Sequence, residues 1–225
     1  MKVHTYWSWE LPPKLTGAAA VVDVNAASTN MATLLSRGVS RLFLVTDETV
    51  HEMKRQYPDA LVIGESLKLP KNFFVSSNWP SEIAKVDVKG RTVLFMTANG
   101  TRVAQEAIAK GADPVFAVGF MNFRRAAAWV KERKIQSLSI LAAGEISFED
   151  RRVAEDRMCA ELLQKLLKGE VFGYRTALMD VKEFMLEHYR GFSIPYNRHI
   201  VFQENPVIPL CKQLRPGVIE VTDTA

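Results

Sequence analysis

Apolar residues fall in short runs bounded by polar turns, and the runs alternate with stretches of helical period. Residues 93–96 (Val-Leu-Phe-Met) are one such run. A polar turn over 97–101 follows, then a helix over 102–110 with Val103, Ala104, Ala107 and Ile108 on one side and Thr101 as its expected N-cap. Four apolar residues in a row suit a strand covered on both faces, as in a parallel sheet. The unit recurs. Strands are predicted over 19–24, 41–46, 114–118 and 137–141. Each leads into helical pattern: a helix capped by Ser28 or Thr29, then helices over 48–57, 123–133 and about 150–168. A shorter run, 61–63, ends in Gly64-Glu65, and residues 70–80 form a long irregular loop of the kind that covers a site. The first 17 residues hold Tyr6, Trp7, Trp9 and Pro12-Pro13, which suit an edge strand or an arm packed on the body. After residue 168 the pattern weakens. A helix over 181–189 capped by Asp180, a short strand over 200–202 and a final edge strand over 218–221 are expected.

Five strand-then-helix units in succession define an α/β fold with a largely parallel sheet and helices on both faces. The 225 residues are enough for one such unit, with a core over about 1–168 and a C-terminal extension over 169–225 that could pack as a second subdomain.

Composition narrows the function. The chain is 48% hydrophobic and 24% charged, with a net charge of +4 and basic residues scattered rather than striped; Arg124-Arg125 and Arg151-Arg152 are its only Arg pairs. That pattern describes solvated faces and argues against a nucleic-acid groove. Cys159 and Cys211 lie far apart and lack metal-ligand spacing, so neither zinc nor a disulfide framework is expected, and Cys159 reads as packing. No apolar run approaches membrane length and the start lacks a charged-then-apolar pattern, so a soluble, cytoplasmic protein without a membrane partner is expected. A homodimer is left open. His4, His51, His188 and His199 stand alone and read as structural. GxSxG, HExxH, P-loop and GxGxxG signatures are missing.

The candidate chemistry sits where ligands of such sheets bind, outside the carboxyl ends of the strands. Asp23, Asp47, Glu65, Thr97, Asn99, Thr101, Asn122 and Glu145 all fall there. The turn over 97–101 aims backbone N–H groups and a helix dipole at one point, beside the hydroxyls of Thr97 and Thr101, which is a setting for phosphate. Asp23 lies in an otherwise apolar strand, where a carboxylate must be paired, hydrogen-bonded or metal-bound; capping of nearby amides is the alternative reading. Several carboxylates facing a phosphate-type turn suggest a divalent cation bridging an anionic substrate.

The segments Asp23-Val24-Asn25-Ala26-Ala27-Ser28-Thr29, Gly64-Glu65, Asn78-Trp79-Pro80, Thr97-Ala98-Asn99-Gly100-Thr101, Ala142-Ala143-Gly144 and Glu155-Asp156-Arg157-Met158-Cys159-Ala160 resemble, in order and spacing, motifs of the 2-phosphosulfolactate phosphatases. The resemblance spans roughly residues 18–222. It implies a Mg2+-dependent phosphatase of coenzyme M biosynthesis acting on a small phosphorylated hydroxy acid. It also implies site roles: Asp23 and Glu65 on the metal; Thr97, Asn99, Gly100, Thr101, Arg102 and Ser28 around the phosphate; Asp23, Asp156 and Glu155 as catalytic carboxylates. Three positions depart from the motifs. Ala26 and Ser66 stand where arginines are expected, and Glu161 where a glycine is. Losing two guanidinium groups removes bidentate partners for an anion. A non-catalytic binder of a small anion or metabolite is the competing reading.

Overall fold

A computed structural model describes residues 1–144, 154–188 and 199–224. Its strands are β1 (Lys2–Trp7), β2 (Ala18–Val22), β3 (Arg41–Val45), β4 (Leu61–Gly64), β5 (Thr92–Met96), β6 (Val115–Val118), β7 (Ser137–Ala142), β8 (Pro209–Arg215) and β9 (Val218–Asp223). Its helices are α1 (Ala27–Ser36), α2 (Val50–Gln56), α3 (Pro80–Ile83), α4 (Gly100–Ala109), α5 (Phe123–Glu132), α6 (Ala154–Lys168) and α7 (Tyr174–His188).

All nine strands form one sheet, in the order β1-β7-β2-β6-β8-β9-β3-β5-β4. The pairs β1–β7, β7–β2, β2–β6, β3–β5 and β5–β4 are parallel. The β8–β9 hairpin is antiparallel to both of its neighbours. Strands β2 and β6, and β3 and β5 after their first residue, are apolar without interruption because both faces are covered. Alternate residues, such as Ala19 and Val21, Leu42 and Leu44, and Val93 and Phe95, pack inward on Met31 and Leu34 of α1 and on Val103, Ala104 and Ala107 of α4. On the other face, Ala20, Val22, Phe116 and Ile140 meet α5, α6 and α7. Phe43, Val45, Leu94 and Met96 meet α2 there.

The sheet curls around α1 and α4. Between β2 and β5 stand four strands, so at about 4.8 Å per strand a flat sheet would hold them about 24 Å apart. Gly100 comes four positions after Met96, and an extended chain of that length reaches about 14 Å. Yet Gly100 touches the side chain of Asp23, just past β2. Curvature brings the two rims together.

Several expectations change. The last strand, β9, is not an edge: it pairs with β8 on one side and β3 on the other, because its inward residues Ile219 and Val221 are buried in the shared core. The edges are β1 and β4. Helix α7 begins at Tyr174, so Asp180 lies within it rather than capping it. Residues 199–201 are helical, not extended. Neither Ser28 nor Thr29 caps α1, which starts at Ala27, and Thr101 lies inside α4, whose N-cap is Asn99. Glu145, Asp150, the Arg151-Arg152 pair and Tyr189 lie outside the described residues.

Candidate active site

Three helices present their N-terminal turns at the rim where β2, β5 and β7 end. Asp23 leaves β2 and turns back: its Oδ1 accepts the Ala27 N–H at 3.1 Å, closing the first turn of α1. Ser28 completes this corner, its hydroxyl accepting the Asp23 N–H (3.0 Å) and donating to the Val21 carbonyl (3.1 Å). Being fully buried and committed to backbone, Ser28 builds the turn and has no hydroxyl left for the phosphate role expected of it.

Gly100 opens α4 directly against this corner. A Cβ on it would lie 2.8 Å from Asp23 Oδ2 and 2.3 Å from the Ala27 methyl. Only glycine lets the two helix ends approach so closely, and the approach leaves Oδ2 of Asp23 facing the α4 terminus. Thr97, at the end of β5, supplies the cap that Thr101 does not: its Oγ accepts the Thr101 N–H at 3.1 Å and lies 3.3 Å from the Thr101 hydroxyl. The Asn99 side chain is nine-tenths buried, and its Oδ1 has no hydrogen-bond partner among the described residues. Arg102 donates from Nη2 to Ser8 Oγ (3.1 Å) and pairs through Nη1 with Glu106 (3.4 Å), leaving Nε buried without a partner among the described residues.

The first turn of α6 brings the third side. Asp156 accepts the Val24 N–H on Oδ1 (2.8 Å) and the Gly144 N–H on Oδ2 (3.0 Å), so one carboxyl group stitches the ends of β2 and β7 to α6. Burial pushes the Asp156 carboxyl well above the ordinary carboxylate range. The charges of Asp23 and Glu155 add to the rise, and the two backbone N–H groups oppose it. Glu155 is completely buried beside it. Three carboxylates thus share a low-dielectric corner, at the helix ends where negative charge is best tolerated.

Glu65 directly follows β4. Gly64 (φ +130°) ends β4 so close to β5 that a Cβ would overlap the Met96 carbonyl oxygen at 1.9 Å, and Glu65 emerges beyond it, exposed. It lines a cavity of about 620 Å³ together with Asp47, Glu48, Lys68, Thr97, Thr101, Arg102 and Gln105. Asp23 is not among the described lining residues. Thr97, Thr101 and Arg102 border this cavity, and Asp156 is a carboxylate set beside Asp23.

Among the described residues no three His, Cys, Asp or Glu side chains form a ready metal cage. Magnesium does not require one: it takes one or two carboxylates and completes its octahedron with water and phosphate oxygens. The Asp23–Asp156 pair fits that demand, being all-oxygen and carrying crowded negative charge.

A family model described as 2-phosphosulpholactate phosphatase matches residues 6–200. The chain belongs to that family. A relative from Symbiobacterium thermophilum named as a probable 2-phosphosulfolactate phosphatase is 31% identical over 165 residues, covering 71% of this chain and 68% of the relative. Relatives of the same name from Deinococcus radiodurans (33% over 163 residues; 72% and 63%) and Thermus thermophilus (32% over 163 residues; 70% and 67%) are similar. The matched part thus spans about two thirds of these family members' own lengths, and less than that for the Deinococcus protein.

Of the departures from the family-like motifs, Ala26 is buried at the N-cap of α1. Ser66 hydrogen-bonds Asp47 and accepts the Lys68 (2.9 Å) and Leu69 (3.2 Å) N–H groups. Glu161 is exposed and paired with Arg157 at 2.9 Å, so it does not fill the site. Sequence reasoning missed Ser8, Lys68 and Gln105. The first sits in an aromatic stretch whose period signals only packing, and the other two in segments with no motif. Asn25 was visible within a motif, but nothing in the sequence showed that both polar atoms of its amide are buried without a partner among the described residues.

Proposed function

We propose that this chain is a magnesium-dependent phosphatase that hydrolyses a small phosphorylated hydroxy acid. The observation that carries the reading is the meeting of Asp23, Asp156 and Glu155 with the glycine-opened N-terminus of α4. Carboxylates for a cation stand there beside backbone N–H groups for an anion, the two requirements of phosphate ester hydrolysis.

Asp23, through the Oδ2 that faces Gly100, and Asp156 would hold the metal. When bound, magnesium supplies charge neutralisation on the phosphoryl oxygens. The protein's own groups do the rest. The first-turn amides of α4 and the Thr97 and Thr101 hydroxyls hold the phosphoryl group, and the unpartnered Asn99 Oδ1 accepts from the attacking water or the substrate. Arg102, pinned by Ser8 and Glu106, adds positive charge at the edge. Burial and its acidic neighbours raise the affinity of Asp156 for a proton, which it would give up on taking the metal. Glu155 adds to the negative charge that draws in the cation. On this reading the activity is cytoplasmic and its substrate is free in solution.

Hydrolysis of an aryl phosphate with and without magnesium tests the reading. Turnover that requires magnesium and is lost in Asp23→Asn supports it. Phosphate binding with no turnover of any ester would favour the non-catalytic binder instead.

A further inference from the structure

Arg102 directly follows Thr101 of the α4 turn, and its guanidinium has two anchors of different kinds. Glu106, at 3.4 Å from Nη1, lies on the same helix four residues on, with the cation first, the weaker order for such a pair. The two side chains are 37% and 34% exposed, so the pair holds Arg102 weakly and travels with α4. Ser8, at 3.1 Å from Nη2, belongs to the other side of the rim. It follows β1 and is tied to the end of β7: its N–H donates to the Ala142 carbonyl (2.9 Å) and its hydroxyl to the Ala143 carbonyl (2.7 Å). With that hydrogen committed, the Oγ lone pairs are left for Arg102. The serine is itself fixed, being 1% exposed. The Glu10 N–H closes the chain over it onto the Trp7 carbonyl (2.9 Å), and the Trp7 and Trp9 rings on either side stack at 5.0 Å. The peptide group that accepts the Ser8 hydroxyl on its carbonyl also gives its N–H, that of Gly144, to Asp156 Oδ2 (3.0 Å). Hydrogen bonds in series thus run from Arg102 through Ser8 to the carboxylate corner.

We infer that Ser8 is a positioning residue of the anion site: it holds the Arg102 guanidinium at the α4 turn, at a set distance from Asp156, so that a phosphate meets a cation already in place. The inference rests on the reading of the α4 turn as the phosphate site. An arginine without this anchor must be ordered when the anion binds, and ordering one long side chain costs affinity. A serine suits the task because one small hydroxyl accepts from the guanidinium and donates to the carbonyl at once. Alanine does neither, and cysteine does both weakly.

Titration calorimetry with inorganic phosphate tests this on the parent protein, Ser8→Ala, Arg102→Met and the double variant, each with and without magnesium. Ser8→Ala should weaken phosphate binding by about fivefold. Arg102→Met should weaken it at least as much. Adding Ser8→Ala to Arg102→Met should then change nothing further, because the hydroxyl acts through the guanidinium. A serine that merely tied β1 to β7 would instead weaken binding by the same factor in both backgrounds. Should Ser8→Ala not fold, Ser8→Cys, closer to serine in size, is expected to lose affinity in the same direction and with the same dependence on Arg102. Equal phosphate affinity in the parent and the Ser8 variant, a loss that persists in full without Arg102, or a parent that binds no phosphate would overturn the inference. Aryl phosphate hydrolysis by the parent decides the other question. Phosphate binding with the expected coupling but without turnover would leave Ser8 as inferred and remove the phosphatase reading.

Discussion

Gly100→Ala pits two effects of opposite sign against each other. Alanine in place of a helical glycine gains about 0.5–1 kcal/mol from backbone entropy, so away from the site the change would stabilise. At Gly100 the new methyl would sit 2.3 Å from the Ala27 methyl and 2.8 Å from Asp23 Oδ2. Carbon atoms prefer about 3.5–4.0 Å, so the helix end must withdraw by more than about 1 Å. Ala27 cannot yield, because its Cβ is fixed to the backbone of α1, and Asp23 is tied to the Ala27 N–H. Overpacking of this kind costs about 1–3 kcal/mol. The net expectation is a loss of about 1–2 kcal/mol from these opposing effects. If the turn holds phosphate as proposed, activity should fall further than stability, since displacing a substrate-positioning group by about 1 Å costs on the order of 100-fold in rate. Urea denaturation gives the first quantity and magnesium-dependent aryl phosphate hydrolysis the second. Ala27→Gly removes the nearest obstructing atom, so the Ala27→Gly/Gly100→Ala pair should recover at least about 1 kcal/mol of coupling in a double-mutant cycle. A Gly100→Ala protein as stable as its parent, or a coupling near zero, refutes the close approach.

Asp23→Asn keeps an oxygen for the Ala27 N–H, so the metal-free protein should fold, but its thermal midpoint should no longer rise with magnesium; an identical rise in both proteins removes Asp23 from the metal. The pH dependence of the metal-free protein follows from Asp156, whose carboxyl is raised above its unfolded value. As pH rises above the ordinary carboxylate range the unfolded chain loses this proton first, so the contribution of Asp156 to stability is full at acid pH and declines until its native pKa is passed. Denaturation midpoints with chelator from pH 4 to pH 8 should show the decline, and saturating magnesium should oppose it; a flat profile that magnesium leaves unchanged argues against the crowded carboxylates. Cys159 and Cys211 are both buried, and burial raises both thiols, Cys211 to about 12. Neither should react with an aromatic disulfide reagent at pH 8 until the protein is denatured, when both should; fast reaction in the native state would contradict their burial.

The parallel strands were legible because burial on both faces writes itself as unbroken apolar runs: Val93 to Met96 and Val115 to Val118 alternate between two cores, and both demand hydrophobic residues. The β8–β9 hairpin was harder to read. Its residues alternate between buried and exposed like an edge strand's, Cys211 buried beside exposed Lys212 for example, although the hairpin lies in the middle of the sheet. In the site, Asp23, Thr97 and Gly100 were recognisable because turn chemistry is local. Which carboxylate accompanies Asp23 was not, because the answer depends on sheet curvature. Curvature is the sum of small twists over nine strands, and no single residue announces it.

The hairpin between β6 and β3 also dictates when the site can exist. As the chain is synthesised, β1, β7, β2 and β6 can assemble into one half-sheet and β3, β5 and β4 into another, well before Pro209 is added. Until then β6 and β3 each carry an open strand edge, the kind of surface that recruits other chains. Asp23 belongs to the first half and Gly100 follows the last strand of the second. A nascent chain that stalls before the hairpin would thus hold both parts of the proposed phosphate corner without the strands that span the gap between them, and would be exposed to aggregation for as long as it waited.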